Sequence, residues 1–198
     1  GSGCVVSASS QAAVVQVGSQ LRRFDHDAGF DSLDAGSKDL GSQGSVYDFA
    51  GAGLLSSAID GDGGGAGGCV LVYGAAGTGK TYTIAGTDEE PGIIPRMAED
   101  LFARAAALEA PCDADARGPA GRALRVWASF VEVRGEQVRD LLRSGPGDAA
   151  EVLRVVDHPQ LGALLPDAAE VPCASAEDVR RLLAVGSARR VASASLLR

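Results

Sequence analysis

The residues Gly74-Ala75-Ala76-Gly77-Thr78-Gly79-Lys80-Thr81 fit the pattern G-x-x-x-x-G-K-T. The chemistry of that pattern is phosphate binding. Glycines let backbone N–H groups converge on phosphate oxygens without a Cβ in the way. A helix starting behind the loop adds the partial positive charge of its N-terminus. Lys80 is then placed to reach the β- and γ-phosphates, and the Thr81 hydroxyl to ligate Mg²⁺. The chain holds 27 glycines in 198 residues, so a chance glycine-rich turn is the competing reading. The surroundings favour phosphate: Cys69-Val70-Leu71-Val72-Tyr73 is the continuous apolar run expected of a strand buried on both faces, and a helix is expected after the loop.

Composition singles out the same lysine. Of the 18 basic residues only Lys38 and Lys80 are lysines, and asparagine is absent. This is the drift of a GC-rich coding sequence toward Arg, Ala and Gly. Arginine keeps the charge but cannot fold its planar head into a tight phosphate cradle, so a lysine surviving there points to a role.

The elements that must position the loop are read from periodicity. Ala12–Val17 alternates as an edge strand would, and residues 23–44 read as loop around Phe24 and Phe30. Residues 46–59 carry apolar positions at helical spacing, interrupted by Gly51 and Gly53. Residues 61–68 and 111–121 are loops. The helix after the P-loop is expected to break near Gly86–Gly92 and to resume after Pro95 through Leu108, with Met97, Leu101 and Leu108 inward. Leu124–Val133 alternates as a strand, residues 136–142 read as a turn and short helix, and 152–156 as a strand. Residues 161–171 are hairpin-like. Ser175 caps a helix from Ala176 to about Val191, with Glu177 and Asp178 in its first turn. Trp127 is expected in the core, and His26 and His158 at the surface. Strands alternating with helices indicate an α/β sheet.

Other chemistry is excluded or left open. Cys4, Cys69, Cys112 and Cys173 form no C-x-x-C pair, and no histidine stands at ligand spacing, which argues against zinc. Scattered single thiols fit a reducing compartment. A net charge of −8 gives no general attraction to nucleic acid or to an anionic membrane. Residues 126–132 form an apolar run ending in Glu132. That is the outline of a Walker B strand, but the second acid typical of ring-forming ATPases is missing, and the plain reading is a core strand followed by an exposed acid. Arg180, Arg181, Arg189 and Arg190 form a basic patch whose plain reading is a solvated helix face.

Around the loop the sequence resembles the kinesin motor domain. Residues 73–84, YGAAGTGKTYTI, stand where that family has Y-G-Q-T-G-S-G-K-T-Y-T-M. Phe24-Asp25-His26 and Ser42-Gln43 with Val46-Tyr47 are similar to F-D-x-V-F and S-Q-x-x-V-Y. Residues 92–96 match G-I-I-P-R, and residues 99–102 match E-D-L-F. Residues 129–133 and 136–142 resemble S-F-L-E-I and E-x-V-R-D-L-L, residues 153–171 the strand and hairpin ending in G-L-T-E-V-P, and residues 186–195 the helix end G-N-x-N-R-x-V-A-x-T.

The resemblance implies a P-loop NTPase-type α/β fold, a central sheet flanked by helices, incomplete here. Residues 1–23 are an N-terminal edge segment and 24–198 a partial motor domain. It implies that Gly74, Ala75, Ala76, Gly77, Thr78, Gly79, Lys80 and Thr81 bind the phosphates of ATP or ADP. Tyr82 then lies near the adenine and Thr81 meets Mg²⁺. Residues 132–134 and 161–171 lie in the region facing tubulin, so the expected partner is a microtubule and the expected location the cytoplasmic cytoskeleton. The family's first strand and R-x-R-P motif are missing. The chain stops at Arg198, before N-x-x-S-S-R-S-H and D-L-A-G-S-E, so no catalytic residue is expected in it. Ala75 and Ala76 replace Gln and Thr at positions the P-loop pattern leaves free. A degenerate head that binds without hydrolysing, and an unrelated P-loop ATPase, are the alternatives. With strands missing, the chain alone is expected to be marginally stable.

Overall fold

The computed structural model describes residues 4–8, 11–30, 41–60, 67–109, 124–143 and 152–195. The loops expected over 61–66 and 111–121 lie outside them. The chain divides into two compact units, Gly1–Met97 and Ala98–Arg198.

The first unit opens with an antiparallel meander, β1 (Cys4–Ala8), β2 (Ala12–Val17) and β3 (Gln20–Asp25), in that order. Ala12–Val17 is therefore a central strand, not an edge. Phe24 sits on β3 opposite Ala13, not in a loop. The cause is the tight turn at Gly18-Ser19, where Gly18 takes a φ of 63° that returns the chain directly along β2.

Helices α1 (Gln43–Ala50) and α2 (Ala52–Asp60) follow, broken at Gly51 as expected, whereas Gly53, the other expected break, lies inside α2. Ser42 caps α1 by accepting from Ser45 N–H at 3.1 Å. A Cβ on Gly51 would stand 2.5 Å from the Tyr47 ring, so only glycine lets the buried Tyr47 occupy that place.

Residues 69–73 form no strand and pair with none among the described residues. Leu71 is 79% and Tyr73 85% exposed. A strand apolar on both faces needs a neighbour at each edge, and the strand sets of this unit do not supply one.

Beyond the loop come α3 (Lys80–Ile84) and α4 (Ile93–Glu109). The G-I-I-P-R stretch is the joint between them. Gly92 N–H donates to Ala85 O at 3.1 Å. A Cβ on Gly92 would lie 2.7 Å from the Ile84 and Thr83 backbone. Ile93 is buried, and Arg96 Nε donates to Pro91 O at 2.8 Å. Pro95 falls inside the first turn of α4, where its missing N–H has no helical partner to lose, so the helix starts before it rather than after it. Of the residues expected inward, Met97 and Leu101 are half-buried and Leu108 is exposed.

In the second unit the expected strand over 124–133 splits at Ser129-Phe130 into β4 (Val126–Ala128) and β5 (Val131–Arg134). β5 pairs with β6 (Gln137–Asp140), which pairs with β7 (Val152–Leu153). β8 (Val156–His158) and β9 (Gly162–Leu164) form a hairpin, so the turn lies within 156–164 rather than across 161–171. β10 (Val171–Cys173) pairs with β4. Residues 137–140 were expected in a turn and short helix. They form a strand because Val138 and Asp140 are buried while Gln137 is exposed, the two-residue period of a strand. Trp127, expected in the core, is 54% exposed opposite Pro172.

The V-R-D-L-L stretch ties this unit together. Buried Asp140 accepts from Leu142 N–H at 2.7 Å, Arg143 N–H at 3.1 Å and Ala169 N–H at 2.6 Å. Arg189, from α5 (Ala176–Ser195), donates to Leu141 O at 2.9 Å and Arg143 O at 3.0 Å. One side chain takes the segment's N–H groups and the other takes its carbonyls, while Leu141 is 2% exposed. Ser175 caps α5 by accepting from Asp178 N–H at 3.2 Å, and Asp178 accepts in return from the Ser175 hydroxyl and Ala174 N–H. The Ser175 hydroxyl, the Ala174 N–H and Arg181 hold the Asp178 carboxyl below its ordinary value. Burial, then the Asp178 charge, pushes the Cys173 thiol up, which keeps it protonated and unreactive.

Three outcomes follow from this packing. Asp140→Ala leaves three backbone donors without their carboxylate. At about 1.5–3 kcal/mol for a hydrogen bond to a charged group, urea unfolding should show a loss of about 3 kcal/mol, and Asp140→Asn a smaller one. Gly186→Ala places a Cβ against the Phe130 ring; overpacking at about 1–3 kcal/mol outweighs a helix-propensity gain of about 1 kcal/mol, so the unfolding midpoint should fall. The Asp178 cap is at full strength above the ordinary carboxyl pKa of 3.8 and is lost as pH falls through its lower folded value. NMR titration should give a midpoint below 3.8 that rises toward 3.8 in Ser175→Ala.

A candidate phosphate-binding loop

The loop lies in the first unit, between residues 69–73 and α3. Gly77 and Gly79 hold φ angles of 79° and 90°, a region that side-chain-bearing residues rarely adopt. No heavy atom lies within 4 Å of where a Cβ would sit on either glycine. The constraint there is the backbone turn, not crowding. Thr78 closes the turn, its Oγ1 donating to Ala75 O at 2.9 Å and its N–H to the same oxygen at 3.4 Å.

Lys80 folds back over the loop. Its ammonium donates to Gly74 O at 3.0 Å and to Ala75 O at 2.5 Å. A lysine ammonium has three donors, so one remains to face an anion at the mouth of the turn. Gly79, at the N-cap of α3, offers no side-chain acceptor to the first N–H groups of that helix. The turn itself, residues 74–79, is exposed. These features fit a phosphate: glycines at positive φ, an oriented cation and a helix start without an internal cap.

Of the residues expected to meet phosphate, Gly74 through Gly79 form this turn, and Lys80 and Thr81 open α3 behind it. Tyr82, 48% exposed, sits on α3 directly after Thr81. No group of three or more His, Cys, Asp or Glu side chains is placed to hold a metal among the described residues.

Two other expectations resolve into internal pairing. Glu132 forms an ion pair with Arg134 at 3.0 Å, which satisfies its charge locally and favours a core strand over a Walker B acid. The basic patch on α5 is matched by acids: Arg180 pairs with Glu99 and Glu177, Arg181 with Glu177 and Asp178, and Arg189 caps backbone carbonyls.

Sequence reading passed over the side chain of Gln43. It is 4% exposed and donates from Nε2 to Tyr82 O at 2.5 Å, 39 residues away. The available signal was a polar residue just behind a helix cap, on the side where the apolar positions of α1 fall.

The family model for the kinesin motor domain matches residues 4–197, and so begins upstream of Phe24, where the motif resemblance starts. The mouse kinesin-like protein KIF14 is 33% identical over 178 residues, which cover 89% of this chain and 10% of that protein. A solved KIF14 dimer, in a two-heads-bound state with AMP-PNP in complex with a microtubule, superposes with a TM-score of 0.79 at 32% identity. The match covers 94% of this chain and 48% of that one. A KIF14 structure with ADP in complex with a microtubule gives a TM-score of 0.75 at 31% identity, covering 92% of this chain and 48% of that one. This chain therefore spans about a tenth of the curated relative and about half of the solved chains. By the extent of the family match and by its fold, the chain belongs to the kinesin motor-domain family.

Proposed function

We propose that this chain is the nucleotide-binding part of a microtubule motor that couples ATP hydrolysis to movement along the microtubule. The observation that carries the proposal is the stretch 74–81, with its glycines at positive φ and its lysine folded back over the turn, on a chain of this family. In this reading the backbone from Gly74 to Thr81 cradles the phosphates of ATP or ADP. Lys80 turns its remaining donor toward the β- and γ-phosphates. Thr81 is the protein's ligand to Mg²⁺. One hydroxyl suits an ion that keeps several waters and takes its other ligands from the phosphates. Bound there, Mg²⁺ neutralises charge on the phosphates. Tyr82 lies toward the adenine.

The microtubule as partner rests on the relatives, whose solved complexes contain one. In this chain the β5–β6 and β8–β9 hairpins present exposed apolar side chains, Val133 at 68% and Leu161 at 70%. They are the surfaces we assign to tubulin. The protein then works on the cytoskeleton, in the cytoplasm. No residue of this chain is assigned to the attacking water.

The test uses the full-length protein. ADP binding by calorimetry with Mg²⁺ should be measurable, and ATP turnover should rise when microtubules are added. Lys80→Ala removes one partner of a close charge pair, so ADP affinity should fall about 100-fold and turnover should be lost. The 198-residue chain alone should bind weakly and turn over little. Turnover by the full-length protein that survives Lys80→Ala would overturn the proposal.

A further inference from the structure

The P-loop needs a fixed position, and α3, which carries Lys80 and Thr81, is too short to supply one. Its five residues span about 7.5 Å at 1.5 Å per residue. A helix this short leaves most of its carbonyls without partners in the helix. Thr81 O accepts twice, from Ala85 N–H at 2.8 Å and from Gly86 N–H at 3.3 Å. Gly86 N–H is the group that would continue the helical ladder to Tyr82 O, so that carbonyl must be satisfied from outside the helix.

Gln43 satisfies it. Its Nε2 donates to Tyr82 O at 2.5 Å, and the side chain is 4% exposed, so the amide has little water to fall back on. The donor stands on a rigid support. Gln43 opens α1, whose N-cap Ser42 accepts from Ser45 N–H and whose end is fixed by Gly51 N–H donating to Tyr47 O at 2.7 Å. The far end of α3 is held separately by Gly92 N–H on Ala85 O. Gln43 thus ties α1 to the residue that directly follows Lys80-Thr81.

We infer that Gln43 is a positioning residue for nucleotide binding: through the Tyr82 carbonyl it fixes the part of α3 that aims Lys80 at the phosphates and sets the Tyr82 ring. It touches neither phosphate nor base itself. The inference rests on the nucleotide reading of the loop. Without the tie, α3 can shift along its axis, and displacements of order 1 Å at a charged contact are costly.

The experiment compares ADP affinity of the full-length protein with that of Gln43→Met and Gln43→Glu. Gln43→Met keeps the length and burial of the side chain and removes only the donor. Gln43→Glu keeps the shape and turns a carboxylate toward a carbonyl. Loss of one hydrogen bond from the aligned state predicts about tenfold weaker ADP binding for Gln43→Met, and a larger loss for Gln43→Glu. Native-state hydrogen exchange should speed up at the Thr83, Ala85 and Gly86 amides, which donate to Gly79 O and Thr81 O, and stay unchanged in α5, a localised effect that general destabilisation would not produce. Wild-type affinity in both variants overturns the tie and leaves the nucleotide reading intact. So does equal acceleration of exchange in α3 and α5. Absence of ADP binding by the unsubstituted protein overturns both.

Discussion

Backbone donors and acceptors that no ladder takes up must still be paired when they are buried, and much of this chain is organised by that demand. Its strands are short and its helices interrupted, so many N–H and C=O groups fall at element ends. Asp140 collects three N–H groups from two separate segments. Arg189 collects the carbonyls on either side of them. Gln43 takes the carbonyl that α3 cannot pair. A charged or amide group with several bonding sites can do this at one point, where a sheet would need another strand.

This explains why particular polar residues sit in motifs that look merely apolar. In V-R-D-L-L the leucines and valine fill the core, but the acid makes the bend after β6 possible. In G-I-I-P-R the isoleucine fills the core, while the glycine permits backbone contact and the arginine returns to Pro91 O.

The geometry of the loop at residues 74–81 is legible residue by residue, because its pattern encodes it: glycine where φ is positive and lysine where an ammonium folds back. The Gly51 break and the Ser175 cap were legible for the same reason, being local rules. Residues 69–73 were misread in part. Their composition reports the environment a strand is suited to, not whether neighbours are in place. Residues 137–140 were misread because four residues are too few to separate a period of two from one of 3.6. Trp127 was assigned to the core from size alone, and β4 leaves one side of it open. Gln43 and Asp140 escaped notice as tie points because their partners lie 39 and 29 residues away, and nothing local in the sequence marks a long-range hydrogen bond.

The contact at Gly92 has a mechanical meaning. The backbones of residues 83–84 and 92 meet so closely that a single methyl group would not fit between them. So little free space at this joint ties the end of α3 closely to the first turn of α4, and a larger residue at 92 would have to force the two apart.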